Sequence, residues 1–275
     1  MNFSGQAAWI TGASSGIGAA LARGLASQGA RLVLSGRNVE ALEAVAAQCG
    51  DALVLPFETT DMAAIAPAAE RAWEWALDGS GGIDMLINNA GISQRSLAVD
   101  TAFAVYERII GVDLLAPIAL TQAILPHMAA RGSGRIVMIS SIAGKVGVPL
   151  RTAYSAAKFG LIGYADALRA ETAQLGLKVH VITPGSVRTD VSRNALTADG
   201  SRRAASDKAI DNGIDPDAAA AEMLAAIAND EREIIVATGP EKAMGELRRT
   251  PGALFDQMAG LMAAGYAAKM KAEGN

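Results

Sequence analysis

The chain has 275 residues, enough for one large α/β domain or two small ones, and its 51% hydrophobic content supplies a sizeable core. Its 24 basic and 28 acidic residues leave a net charge of -4, which gives no electrostatic footprint for nucleic acid; a charged share of only 19% argues against disorder and for surface buried between subunits. The single cysteine, Cys49, excludes an internal disulfide and reads as a small buried hydrophobe, and residues 1–6 carry no positive region ahead of an apolar run, so a cytoplasmic protein without a secretory signal is expected.

Short apolar runs recur in chain order at 7–11, 31–35, 52–56, 84–88, 135–141, 178–183 and 233–237. Most are too apolar to be half-exposed, as expected of parallel strands covered on both faces. Between them, Ala-, Leu- and Glu-rich segments at about 16–28, 38–48, 61–78, 100–131, 152–175 and 216–229 are long enough to be crossover helices. This alternation predicts a single-domain, Rossmann-like, doubly wound seven-stranded parallel sheet with helices on both faces. The apolar stretch 109–125 is interrupted by Gly111, Asp113, Pro117 and Gln122, so no membrane span is expected. Two segments leave the rhythm. Residues 188–215, with Arg193, Arg202, Arg203 and Lys208, read as a long loop over a pocket. Residues 240–275 end in a helical stretch with Leu254, Met258, Leu261, Met262 and Gly265 on one face.

The first strand runs into Thr11-Gly12-Ala13-Ser14-Ser15-Gly16-Ile17-Gly18, where a helix begins. Gly12 permits a tight turn, Gly16 lets backbone approach a pyrophosphate, and Gly18 allows close helix–strand packing. Ser14, Ser15 and Ile17 lie in the same turn, where the positive end of the helix dipole favours an anion. The second strand ends in Gly36-Arg37 instead of the acid that would bind a ribose 2′-hydroxyl. Arg37 can pair with a 2′-phosphate, so NADP(H) is preferred, with NAD(H) still usable. Asn89, Ala90 and Gly91 follow the fourth strand, where small residues let a ribose lie against backbone, while Asn88 reads as structural. Tyr154 and Lys158 are four apart on one helix face, and Ser141 ends the fifth strand, at the strand ends where open α/β sheets place ligands. A free tyrosine, with a pKa of about 10, is a poor base at neutral pH, and a neighbouring ammonium favours its phenolate. A serine hydroxyl can stabilise negative charge on a substrate oxygen.

The spacing of the glycines, together with Asn88-Asn89-Ala90-Gly91 and Tyr154-Ser155-Ala156-Ala157-Lys158, resembles the short-chain dehydrogenase/reductase family from residue 5 to about 240. The resemblance implies hydride exchange between a nicotinamide and a carbonyl or alcohol, with Tyr154 moving the proton, Ser141 holding the substrate oxygen and Lys158 also binding the nicotinamide ribose. It implies that Glu58, beside Thr59, binds the adenine amino group. Past the sixth strand, in Pro184-Gly185-Ser186-Val187-Arg188-Thr189, it gives the nicotinamide carboxamide to the Val187 backbone and the Thr189 hydroxyl. Asp113 stands where relatives usually carry Asn; a backbone role there survives, and the added charge favours protonated Lys158 and opposes phenolate at Tyr154. Residues 92–96 and 144–149 resemble the branch acting on steroids, retinoids and other lipophilic carbonyls. The expected partners are a small-molecule carbonyl or alcohol and a second copy of the chain, in a homodimer or homotetramer. A 3-oxoacyl-thioester reductase and a non-catalytic NADP-binding sensor stand as alternatives. The loop arginines are either receivers of an anionic tail or solvated charges.

Overall fold

The alternation of apolar runs and helices folds as one sheet. Its strands are β1 (Ala7–Thr11), β2 (Arg31–Ser35), β3 (Ala52–Val54), β4 (Met85–Asn88), β5 (Gly134–Ile139), β6 (Leu177–Pro184) and β7 (Glu233–Val236). All pair in parallel in the order β3-β2-β1-β4-β5-β6-β7. The computed structural model describes residues 3–247 together with Asp256, Gly260, Ala263 and Ala264. The predicted stripe of Leu254, Met258, Leu261, Met262 and Gly265 lies outside the described residues.

Successive side chains of a strand point to opposite faces, so each strand feeds two cores. On one face, Ile10, Leu32 and Leu34 pack against Leu21 and Leu25 of α1 (Gly16–Ala26), Leu42 of α2 (Val39–Cys49) and Leu224 of α8 (Pro216–Ala228). Cys49 is buried in this core. On the other face, Trp9, Val33 and Leu86 meet Ala72 of α3 (Met62–Ser80), Ile124 of α5 (Ala116–Arg131) and Leu161 of α6 (Thr152–Thr172). Both faces are covered, which is why the strand sequences are nearly continuous apolar runs.

The structure corrects several boundaries. β3 stops at Val54, before Pro56, whose ring nitrogen can donate no ladder bond. β5 stops at Ile139, two residues before the expected end, because Ser141 already caps a 3₁₀ turn over Ile142–Gly144. The helix expected at 100–131 is three pieces in one run: α4 (Phe103–Ile110), a wider π turn at Gly111–Leu115, and α5. Pro117 has no N–H to offer the Asp113 carbonyl four residues back, and the Ala116 N–H reaches Gly111 instead. The run Phe103–Arg131 is also long and apolar enough to cross a membrane by length and composition. Here Leu120, Ile124 and Met128 are packed on the sheet, and Val105 and Ile109 in a smaller core with Ala153 and Ala157.

The loop at 188–215 is tied down more than its polar composition implied. Leu196 bridges Gln94 on one side and Arg202 on the other, Val187 bridges Ile214, and a short helix α7 (Lys208–Asp211) closes the segment. Asp207 accepts from Arg95 at 2.5 Å and from Arg203 at 2.6 Å, and these partners hold its carboxyl well below the usual range against the opposing effect of burial. A last helix, α9 (Gly239–Leu247), follows β7.

Candidate active site

Strand order reverses between β1 and β4, and the turn after β1 is built for close approach. Gly12 has φ +65°, and a Cβ there would lie 2.8 Å from the Ala90 Cα. Thr11 Oγ1 accepts from the N–H groups of Asn89 and Ala90, both at 3.1 Å. Asn89 donates its amide to the carbonyls of Thr11 (2.9 Å) and Gly12 (3.2 Å), so its side chain is committed to the turn. Asn88 is buried and donates to Thr121 Oγ1, the structural role expected of it. Gly16, at φ +53°, opens α1 directly beneath Thr189; a Cβ would stand 3.0 Å from its methyl group.

This turn forms one end of a cavity of about 580 Å³. Gly12, Ser14, Ser15, Gly16 and Ile17 line it, as do Arg37, Glu58, Thr59, Asn89, Ala90 and Gly91. Asp113, Ser141, Tyr154, Lys158, Pro184, Gly185, Val187 and Thr189 line it too. Gly18 does not. A Cβ there would fall 2.2 Å from the Gly12 carbonyl oxygen and 2.6 Å from Asn89 Nδ2, so Gly18 lets α1 pack closely against the turn. Val191, Leu196, Arg202 and Ile210 of the loop expected over the pocket also line the cavity, as do Ile92 of the 92–96 stretch and Arg108, which carries no local signal in the sequence.

Tyr154 and Lys158 stand one turn apart in the first half of α6, and the Lys158 Nζ is 5.6 Å from the centre of the Tyr154 ring. Lys158 is buried; its ammonium donates to the Ile139 carbonyl at 3.0 Å and is 3.2 Å from Asp113 Oδ2. The other Asp113 oxygen accepts from the Ile92 N–H at 2.9 Å. Burial works against the Lys158 charge, but Asp113 and Tyr154 outweigh it and hold the ammonium above its ordinary range. Burial pushes the fully enclosed Asp113 carboxyl up, against the pull of Lys158 and the Ile92 N–H. Gly91 leaves room for the pair, since a Cβ there would sit 3.2 Å from Asp113 Oδ2. Asp113 makes this contact from within the π turn, a local helix distortion that its residue type does not announce.

Ser141 Oγ accepts from the Ala143 N–H at 3.1 Å and donates to the Pro184 carbonyl over a long 3.5 Å. Its neighbour Ser140, which sequence reasoning passed over, donates to the Lys158 carbonyl at 3.0 Å and ties the β5 end to α6. At the other end of the cavity, Arg37 and Glu58 form an exposed ion pair at 3.3 Å, so the two side chains expected to contact different parts of a ligand contact each other. Of the loop arginines, Arg193 pairs with Asp190 and Arg203 with Asp207, while Arg202 lines the cavity. Glu241 of α9 accepts from the Ser186 N–H (2.7 Å) and hydroxyl (2.8 Å), bracing the loop after β6.

Comparison with known proteins gives the same outline. Residues 6–200 match a family model described as short chain dehydrogenase. The chain is 39% identical over 261 residues to Dehydrogenase/reductase SDR family member 7B of Danio rerio, across 91% of this chain and 83% of the relative. It is 41% identical over 262 residues to the protein of the same name from Bos taurus, across 91% and 79%. A solved metagenomic short-chain oxidoreductase in complex with NADP superposes with a TM-score of 0.68 at 36% identity, over 85% of this chain and 97% of that one.

Proposed function

Because this chain belongs to the short-chain dehydrogenase/reductase family of oxidoreductases, we propose that it interconverts a carbonyl compound and its alcohol with NADP(H), using Tyr154, Lys158 and Ser141. One observation carries this reading: a tyrosine, a buried lysine held charged and the serine that caps the 3₁₀ turn after β5 line the same cavity as a Cβ-free turn at the β1–α1 junction. The residues present fit a dinucleotide. A side chain at Gly12 or Gly16 would fill the cradle, and a cavity of this size is typical of a cofactor site. Gly12, Ser14, Ser15, Gly16 and Ile17 would hold its phosphates, and Asn89, Ala90, Gly91 and Lys158 its nicotinamide-side ribose. Pro184, Gly185, Val187 and Thr189 would hold the carboxamide. When bound, the nicotinamide gives up or accepts the hydride.

The chain's own residues do the rest. In reduction the Tyr154 hydroxyl donates its proton to the substrate oxygen; in oxidation its oxygen receives that proton. Lys158, kept positive by Asp113, holds its ammonium 5.6 Å from the centre of the Tyr154 ring. Ser141 keeps its oxygen oriented by the Ala143 N–H, and its weak bond to Pro184 leaves the hydroxyl proton free to turn toward substrate. The apolar wall of Val191, Leu196 and Ile210 supports a lipophilic carbonyl as substrate. The exposed Phe103 and Leu115 on the 103–131 helices support a homodimer or homotetramer.

The test is NADPH oxidation over a panel of ketones, aldehydes and 3-oxoacyl thioesters, with Tyr154→Phe run in parallel. NADPH binding with no turnover of any carbonyl rejects the enzymatic reading in favour of a sensor.

NADP(H) preference rests on Arg37, with no acid at Gly36, and on the NADP carried by the metagenomic relative. Glu58 would have to release Arg37 for a 2′-phosphate, a small cost for an exposed pair. Arg37→Glu is expected to lower the NADPH/NADH ratio of kcat/KM by about tenfold or more, through loss of a charge-assisted bond and gain of repulsion. An unchanged ratio rejects the assignment.

Asp113 gives a pH prediction. Lys158 sits above its ordinary pKa although burial opposes it, and Asp113 is the foremost of the groups that raise it. Asp113→Asn removes that support and leaves burial acting, so the alkaline limb of the pH–rate profile, where Lys158 loses its proton, moves to lower pH. Superimposable profiles for the two proteins reject the coupling.

A further inference from the structure

Resting on that reading, we infer that Gln94 is a positioning residue for Tyr154, one that ties the loop over the cavity to the first turn of the catalytic helix. Gln94 follows β4 and is fully buried; it falls in the 92–96 stretch, which gives it no role of its own in the sequence. The first-turn N–H groups of a helix have no partner within it and need one from elsewhere. Arg151, which precedes α6, makes no side-chain cap, and the first bond inside the helix is Ser155 N–H to the Arg151 carbonyl. The Ala153 N–H is therefore an orphan, and Gln94 Oε1 accepts from it at 2.9 Å. Tyr154 is the next residue.

The amide nitrogen of Gln94 is held just as firmly. It donates to Ser96 Oγ at 3.1 Å and Thr101 Oγ1 at 3.2 Å, and lies 3.5 Å from Thr152 Oγ1, on the first residue of α6. The backbone on either side of Gln94 carries the loop: Leu196 N–H donates to the Ser93 carbonyl and Arg95 N–H to the Leu196 carbonyl, both at 2.8 Å. Leu196 in turn lines the cavity and packs with Ala153 and Ala157 of α6. One side chain thus joins the wall that would cover a substrate to the turn that sets where the Tyr154 hydroxyl stands. A shift of an ångström in a proton-transfer group is costly in rate while leaving the phosphate cradle, built from β1 and α1, untouched.

Three variants separate positioning from mere folding. Gln94→Asn is too short to reach the Ala153 N–H, Gln94→Leu removes both polar ends, and Gln94→Glu keeps an oxygen at the same reach. The Asn and Leu variants are expected to lose about 10- to 100-fold in kcat while the Kd for NADPH stays within about twofold; the Glu variant is expected to keep most of the rate. In the protein without substrate, hydrogen–deuterium exchange of the peptide around residues 151–156 should rise in Asn and Leu and stay at the parental level in Glu. If the Leu variant does not fold, the Asn and Glu pair decides the matter. Equal rates and equal exchange in Asn and Glu overturn the inference, as does a rate loss matched by weaker NADPH binding. A parent that oxidises NADPH with no carbonyl overturns the enzymatic reading instead, and the exchange data still decide whether Gln94 holds the turn.

Discussion

Tyr154→Phe is expected to lower kcat for carbonyl reduction by about a hundredfold to ten-thousandfold, the range for loss of a positioned proton donor. The phenol ring is partly buried against the small core of Val105, Ile109 and Leu196, with Lys158 Nζ 5.6 Å from its centre, and phenylalanine keeps that ring, so loss of one oxygen leaves the packing in place. NADPH affinity should therefore stay within a few-fold of the parent, because the groups assigned to the phosphates lie on the β1–α1 turn. An effect confined to kcat, with substrate and cofactor binding preserved, is the mark of an interaction made only in the transition state. Turnover near the parental value would remove Tyr154 from the chemistry.

The second large effect is on stability. Lys158→Met is expected to cost about 3–5 kcal/mol near neutral pH, because it strips the cation from a carboxylate that is completely enclosed. For a chain of this length that is a fall in Tm of roughly 10 °C. The sign of its pH dependence follows from Asp113, whose pKa burial already pushes up and which in the variant loses the ammonium that pulls it down. A carboxyl with a folded-state pKa above its unfolded value destabilises the fold at high pH and ceases to do so once protonated. The Tm gap between variant and parent should narrow as pH falls through the raised value. Lys158→Met combined with Asp113→Asn should recover much of the loss. A gap that is constant with pH, or a double variant no more stable than the single one, would show that the cost is packing and not the stranded charge.

Much of the cavity wall was legible beforehand because its residues act through local chemistry. A glycine at φ +65° after an apolar strand, a tyrosine and lysine one helical turn apart, and a serine shortly after an apolar strand each mark their place within a few residues of sequence. The packing expected of Gly18 is of the same local kind, and the tertiary structure supplies its partner, the Gly12 carbonyl that a Cβ there would meet. Arg37 and Glu58 lie 21 residues apart, and their mutual ion pair shows only when β2 and β3 lie side by side.

By itself the order of residues determined the doubly wound sheet, since alternating apolar strands and amphipathic helices of these lengths bury their surfaces in few other ways. It also determined the phosphate turn and the spacing of Tyr154 and Lys158. Only the tertiary structure decided the partners that tune them: the Asp113 carboxylate of the π turn against Lys158, the Ser140 bond to the Lys158 carbonyl, the Glu241 brace on Ser186, and the Gln94 cap on α6. Periodicity and turn chemistry are short-range and leave traces in sequence, whereas a hydrogen bond across 18, 55 or 59 residues exists only once the chain has closed on itself.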